Sequence, residues 1–284
     1  MTATVPVLEV TGLCKRFGSF TAVDEVSFAL APGGSVGIVG ESGSGKTTTA
    51  RILVGLERAS AGQVLLDGEV IAAPSRRARQ AQARTLARKI QMIFQDPYQS
   101  FDSRLTIEES IAEPLRLHFG LNGEGRRRRV AELCDQVGLS SRQAQALPRN
   151  LSGGQRQRAA IARALGIEPT VLVLDEAVAA LDVSIQAQVL RLLADIRRDT
   201  GISYVFVSHD LAVIRAITDD AIVMRSGRIV EEGPTERLLT APQHPYTQLL
   251  LASVPEPGWD PAAVARAGRE LEPTGSSSQG ARTP

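Results

Sequence analysis

The amino-acid sequence predicts an α/β fold built on a largely parallel sheet, with antiparallel strands near the N-terminus and a mostly helical insertion. Three observations carry that prediction. Short apolar runs alternate with helical patterns along most of the 284 residues. The segment Gly40-Glu41-Ser42-Gly43-Ser44-Gly45-Lys46-Thr47 fits the pattern G-x-x-x-x-G-K-S/T at every fixed position, between an apolar run and a helical pattern. A second glycine-rich turn, Leu151-Ser152-Gly153-Gly154-Gln155, opens another helix far downstream.

Apolar runs at 7–10, 26–30, 35–39, 64–66, 90–94, 171–174 and 203–207 read as strands, several of them buried on both faces. Helical patterns stand at 46–56, 155–165, 185–198 and 211–217. Residues 221–232 place a Ser-Gly turn between two apolar-bearing segments, which predicts a hairpin. Residues 98–150 hold no convincing strand and carry the run Arg126-Arg127-Arg128-Arg129, read as a solvated helix face because no aromatic residue interleaves it. From residue 255 the composition turns to Pro, Gly, Ser and Ala, which predicts a disordered tail over 255–284 after one domain at 7–254.

A net charge of +1 argues against a polyanion, so nucleic acid is not expected as a partner. Cys14 and Cys134 are too few for a disulfide framework or a metal cage. The N-terminus lacks the basic start and apolar run of a signal peptide, and no apolar stretch is long enough to span a bilayer. The expectation is a cytoplasmic chain unless a partner holds it at a membrane.

The first glycine-rich segment has the strand–loop–helix context that phosphate binding requires. Glycines let backbone N–H groups curl around a β-phosphate where a helix N-terminus already favours negative charge. Lys46 then reaches the β- and γ-phosphates, and the Thr47 hydroxyl binds Mg²⁺. Only Lys15 and Lys89 accompany Lys46 as lysines, which makes it conspicuous. The apolar run before Asp175-Glu176 reads as a strand ending in two carboxylates. Asp175 suits Mg²⁺, and Glu176 suits polarisation of a water attacking the γ-phosphate. Gln95 and His209 each follow a strand-like run; an amide there can touch Mg²⁺ and water, and an imidazole can bond the γ-phosphate. Phe17 offers a π-face for a base, although on pattern alone an aromatic residue is as often core.

In this order the pieces resemble the ATP-binding subunit of ABC transporters, over most of the chain. Phe17 resembles the aromatic A-loop and Val23 the adenine-pocket residue after it. Gly40 to Thr48, with Ser42, Gly43, Ser44 and Gly45, resembles Walker A; Gln95 the Q-loop; and Ser152, Gly153, Gly154 and Gln155 the family signature. Asp175 and Glu176 resemble Walker B with its catalytic glutamate, Leu181-Asp182 the D-loop, and His209 the switch histidine. The resemblance implies a P-loop NTPase with a RecA-like core, an antiparallel β subdomain and a helical subdomain at about 98–163. It implies ATP and Mg²⁺ sandwiched between two subunits, with Ser152 and Gly154 of one facing the γ-phosphate bound by the other.

A narrower likeness is to the oligopeptide/dipeptide/nickel importer branch. Phe94-Gln95-Asp96-Pro97-Tyr98-Gln99-Ser100-Phe101-Asp102 resembles its Q-loop region, where a permease coupling helix docks. His244-Pro245-Tyr246-Thr247-Gln248-Leu249-Leu250 resembles its C-terminal element. This likeness implies two transmembrane permease subunits, a second ATPase in a heterodimer, a solute-binding protein reached indirectly, and a peripheral place on the cytoplasmic face of the membrane. Ala177-Val178-Ala179-Ala180 stands where the family usually has Pro-Thr-Ser-Ala, so hydroxyls near the D-loop are missing. An ATPase without a permease, serving ribosomes or DNA repair, and an exporter ATPase are the alternative readings.

Overall fold

The structure is a computed structural model that describes residues 5–72, 86–96 and 100–254. Pro97, Tyr98 and Gln99, within the expected docking segment, and the expected tail at 255–284 lie outside the described residues.

Two sheets form the frame. Strands β1 (Leu8–Phe17), β2 (Phe20–Leu30), β4 (Ala61–Leu66) and β5 (Glu69–Ala72) make an antiparallel sheet in the order β2-β1-β4-β5. Strands β3 (Ser35–Val39), β6 (Ile90–Ile93), β7 (Val171–Asp175), β8 (Ser203–Val207), β9 (Asp220–Arg225) and β10 (Arg228–Pro234) make the second sheet, in the order β10-β9-β3-β8-β7-β6. Every pair in it is parallel except β9–β10, the expected hairpin about Ser226-Gly227.

Successive residues of the central strands serve two different cores. Leu172, Leu174, Tyr204 and Phe206 enter one hydrophobic cluster, whereas Val171, Val173, Val205 and Val207 enter the other. The strands read as unbroken apolar runs because both of their faces are covered. The first cluster lies under α6 (Val183–Thr200), α7 (Leu211–Ile217) and the helices inserted between β6 and β7. The second joins the parallel sheet to α1 (Lys46–Leu53) and to the antiparallel sheet. Truncating one such residue, Leu172→Ala for example, costs about 2–5 kcal/mol.

The insertion comprises α2 (Ile107–Phe119), α3 (Gly123–Gln136), α4 (Ser141–Ala144) and α5 (Gly153–Leu165). Thr106 and Glu109 form a reciprocal capping box at the start of α2. Beyond β10 come α8 (Thr235–Thr240) and α9 (Pro245–Ala252). No helix among the described residues is long and apolar enough to cross a membrane.

Candidate active site

Strands β3, β6, β7 and β8 run parallel, so the residues that follow them meet along one edge of the sheet. The glycine-rich loop follows β3, Gln95 follows β6, Asp175 ends β7 with Glu176 next, and Ser208-His209 follows β8.

The loop between β3 and α1 is held by close backbone packing. A Cβ on Gly40 would lie 2.2 Å from the Met224 carbonyl oxygen, and one on Gly45 would lie 2.4 Å from that of Ala22. Both glycines also have positive φ, 148° and 104°. The Gly227 N–H donates to the Ser44 carbonyl at 3.0 Å, which ties the loop to the β9–β10 turn. Gly43, by contrast, has nothing among the described residues within 4 Å of its Cβ position. The loop is therefore packed on its inner side and open at Gly43, as a cradle for a phosphate group requires.

Lys46, the first residue of α1, is buried. Its Nζ donates to the carbonyls of Gly40 and Glu41, each at 2.7 Å. Burial lowers its pKa below the ordinary lysine value, and the carboxylates of Glu176, Asp175 and Glu41 oppose that shift. Thr47 Oγ1 donates to Asp175 Oδ1 at 3.2 Å. Burial raises the Asp175 carboxyl pKa, the Thr47 hydrogen bond opposes the rise, and Glu176 adds to it. A hydroxyl and a carboxylate are hard oxygen donors, and Mg²⁺ takes one or two such protein ligands while keeping waters and substrate phosphates. These two residues fit that ion. Thr48 is half-buried on the same turn, and Ser42 is exposed on the loop.

Glu176 takes a left-handed backbone conformation with φ 48°, which a non-glycine residue adopts at a cost of about 1–3 kcal/mol. Its N–H donates to the Val207 carbonyl at 2.9 Å, fixing it to the end of β8. Its Oε1 lies 3.2 Å from His209 Nδ1. The carboxylate accepts and the ring nitrogen donates. The His209 side chain is 61% exposed and that of Glu176 19%, so the pair opens to solvent on the histidine side. Gln95 is exposed after β6.

The remaining expected residues form a second surface and a hairpin tip. Ser152 caps α5: its hydroxyl accepts from the Gln155 N–H at 3.3 Å, and Gln155 Oε1 accepts from the Ser152 N–H at 3.0 Å. Cβ positions on Gly153 and Gly154 lie 3.4 Å from Leu181 Cδ2 and 2.4 Å from Ile185 Cγ2, so the turn packs on the start of α6. Asp182 caps α6 by accepting from the Ile185 N–H at 3.0 Å, and that bond first, then the Ser184 hydroxyl, lowers its carboxyl pKa. Phe17 stands 48% exposed at the tip of the β1–β2 hairpin, with Lys15 Nζ 4.5 Å from its ring centroid. Val23 is 0% exposed and packs in the second core cluster.

Sequence reasoning missed the walls of the loop. Met224 and Gly227 of the β9–β10 hairpin touch it, and the Glu41 N–H donates to the Tyr246 hydroxyl at 3.1 Å. No local signal joins residues 205 positions apart.

Comparison with known proteins agrees with this geometry. Residues 23–179 match the ABC transporter family, and residues 230–280 match the C-terminal region of oligopeptide/dipeptide transporters. The glutathione import ATP-binding protein GsiA of Escherichia coli K12 is 48% identical over 261 residues, covering 88% of this chain and 41% of GsiA. GsiA of Salmonella paratyphi A is 46% identical over the same length. The chain spans about two fifths of the length of these curated relatives. Among solved structures, cbiO1 from Clostridium perfringens, part of the ABC transporter complex cbiONQ, superposes with a TM-score of 0.74 at 26% identity, over 83% of this chain and 91% of that one. The dimeric ATP-binding cassette MJ0796, in a post-hydrolysis state bound to ADP and Pi, gives 0.72 at 29% identity over 80% and 98%. The fold is that of a P-loop NTPase, and the chain belongs to the ABC transporter family.

Proposed function

We propose that this chain binds ATP with Mg²⁺ and hydrolyses it to power import of peptides or a similar small solute through two partner permease subunits. The observation that carries the hydrolytic part is the convergence of Lys46, Asp175, Glu176 and His209 at one edge of a parallel sheet. Support for import comes from the match at 230–280 and from the GsiA relatives, whose name records glutathione import.

Each residue has a physical role in this reading. Backbone N–H groups of the loop from Gly40 to Gly45 and the N-terminus of α1 hold the β-phosphate, with Thr48 completing the turn. Lys46 neutralises charge on the β- and γ-phosphates. Thr47 and Asp175 hold Mg²⁺, which when bound screens charge that builds on the phosphates. Gln95 orients the attacking water, Glu176 accepts its proton, and the O–P bond to ADP breaks as the water oxygen bonds phosphorus. His209 steadies Glu176 through the hydrogen bond at Nδ1. Phe17 stacks on the base.

The second surface serves the partner cassette. Ser152, Gly153, Gly154, Gln155 and Asp182 face the nucleotide held by a second ATPase subunit, in a heterodimer. In this reading the protein sits peripherally at the cytoplasmic face of the membrane, with a solute-binding protein acting on the permeases. The test is recovery of tagged chain from solubilised membranes, followed by an ATPase assay on the complex. Co-purified permeases, a second ATPase and solute-stimulated hydrolysis support the reading; recovery with ribosomes or DNA removes transport from it.

A further inference from the structure

Helix α9 touches the phosphate loop directly. Tyr246, in its first turn, is 1% exposed and among the largest fully buried side chains. Its phenol oxygen accepts the hydrogen bond from the Glu41 N–H at 3.1 Å. The carbonyl of the same residue accepts from Lys46 Nζ at 2.7 Å. The Glu41 backbone is thus held from both sides, by the C-terminal helix and by the loop lysine.

The helix is itself firmly placed. Glu231 of β10 accepts from the N–H groups of Gln243 at 2.7 Å and His244 at 3.1 Å. His244 Nδ1 accepts from the Tyr246 N–H at 3.1 Å, capping the helix before Pro245 at its first position. The Arg225 guanidinium lies 4.8 Å from the Tyr246 ring centroid. Packing alone would be met by phenylalanine, because a buried hydroxyl must find a partner or lose its hydration without return. Here the partner is the backbone of the phosphate loop.

We infer that Tyr246 is a positioning residue for nucleotide binding: its hydroxyl fixes the Glu41 peptide, and thereby the seat of the Lys46 amine, so the C-terminal element sets the affinity of the loop for phosphate. This inference rests on the proposed ATPase reading. The hydroxyl bonds the Glu41 peptide and not Glu176 or His209, so it acts on ground-state binding more than on the chemical step.

The test is equilibrium binding of MgATP and MgADP to the full chain, with thermal unfolding and steady-state hydrolysis, for the wild type, Tyr246→Phe, Tyr246→Ala and Lys46→Ala. Loss of one hydrogen bond predicts that Tyr246→Phe binds both nucleotides about three- to tenfold more weakly. KM for ATP rises in step, kcat stays within about twofold, and the melting temperature stays close to that of the wild type. Tyr246→Ala loses melting temperature as well, and Lys46→Ala loses binding through the lysine itself. Wild-type affinity in Tyr246→Phe overturns the inference. So does a fall in its melting temperature as large as that of Tyr246→Ala, which would make the role structural. If the wild type binds neither nucleotide while Lys46→Ala matches it, the ATPase reading fails first.

Discussion

His209 Nδ1 lies 3.2 Å from Glu176 Oε1, joining the residues that follow two adjacent parallel strands. Glu176 is held there in a left-handed conformation, so its carboxylate is aimed before any substrate enters. His209→Ala frees that carboxylate without touching the loop. The expected outcome is ATP affinity within about threefold of wild type and turnover reduced at least about tenfold. Equal turnover would show that the hydrogen bond has no part in the chemistry.

Lys46→Ala removes the buried cation that faces Asp175 and Glu176. Nucleotide affinity is expected to fall at least about tenfold, because charge-assisted contacts to phosphate are among the stronger hydrogen bonds. Titration with a fluorescent ATP analogue measures it; unchanged affinity contradicts the role given to the loop.

Asp175 carries a pH-dependent prediction. Its folded pKa is raised by burial, so the folded state holds the proton more tightly than the unfolded chain, whose carboxyl titrates near about 3.9. The group therefore weakens the nucleotide-free fold once pH rises through that range, and the penalty grows until pH passes the raised folded value. Asp175→Asn should raise the melting temperature of the free protein at pH 7, with the gain shrinking to nothing below about pH 4. The same variant should lose the Mg²⁺ dependence of ATP binding. Calorimetry across pH measures the first part, and a lower melting temperature at pH 7 would contradict it.

Gly154 is a packing constraint on the signature turn. A Cβ there lies 2.4 Å from Ile185 Cγ2, so Gly154→Ala should destabilise by about 1–3 kcal/mol. Adding Ile185→Ala, which removes the opposing methyl, should recover part of the lost stability. Denaturant unfolding of the single and double variants measures the coupling, and strictly additive effects would dismiss it.

Gln157 is fully buried on α5, and neither amide atom has a hydrogen-bond partner among the described residues. Such groups weaken a fold by about 1–3 kcal/mol. Gln157→Met, close in volume, is therefore expected to raise the melting temperature of the free protein; a drop would show that the amide is satisfied in solution.

The parallel sheet was legible because its strands are short apolar runs ending in charged or glycine-rich residues, and both faces of each are buried. The antiparallel sheet was less so. Strands β1 and β2 extend to Phe17 and back from Phe20, well beyond the readings of 7–10 and 26–30. Lys15, Arg16, Asp24 and Glu25 break the apolar pattern there, and irregular register hides the alternation. Helix α1 stops at Leu53, before the expected residue 56, where Gly55 follows with φ 75°. The insertion reads as mostly helical, yet the bounds of α2 within it are hidden because Pro114 interrupts its pattern, although Thr106 and Glu109 spell its capping box. At the site, strand ends announced Asp175, Glu176 and His209, whereas the burial of Val23 and the reach of Tyr246 to Glu41 depend on tertiary packing alone.

The most direct measurement of the central claim is steady-state ATP hydrolysis by the purified chain with its membrane partners, wild type against Glu176→Gln. Glu176→Gln is expected to bind MgATP with wild-type affinity and to lose at least about a hundredfold in turnover, since the amide cannot accept the proton of the attacking water. Turnover close to wild type, with ATP bound equally well, would contradict Glu176 as the base and with it the mechanism proposed for this site.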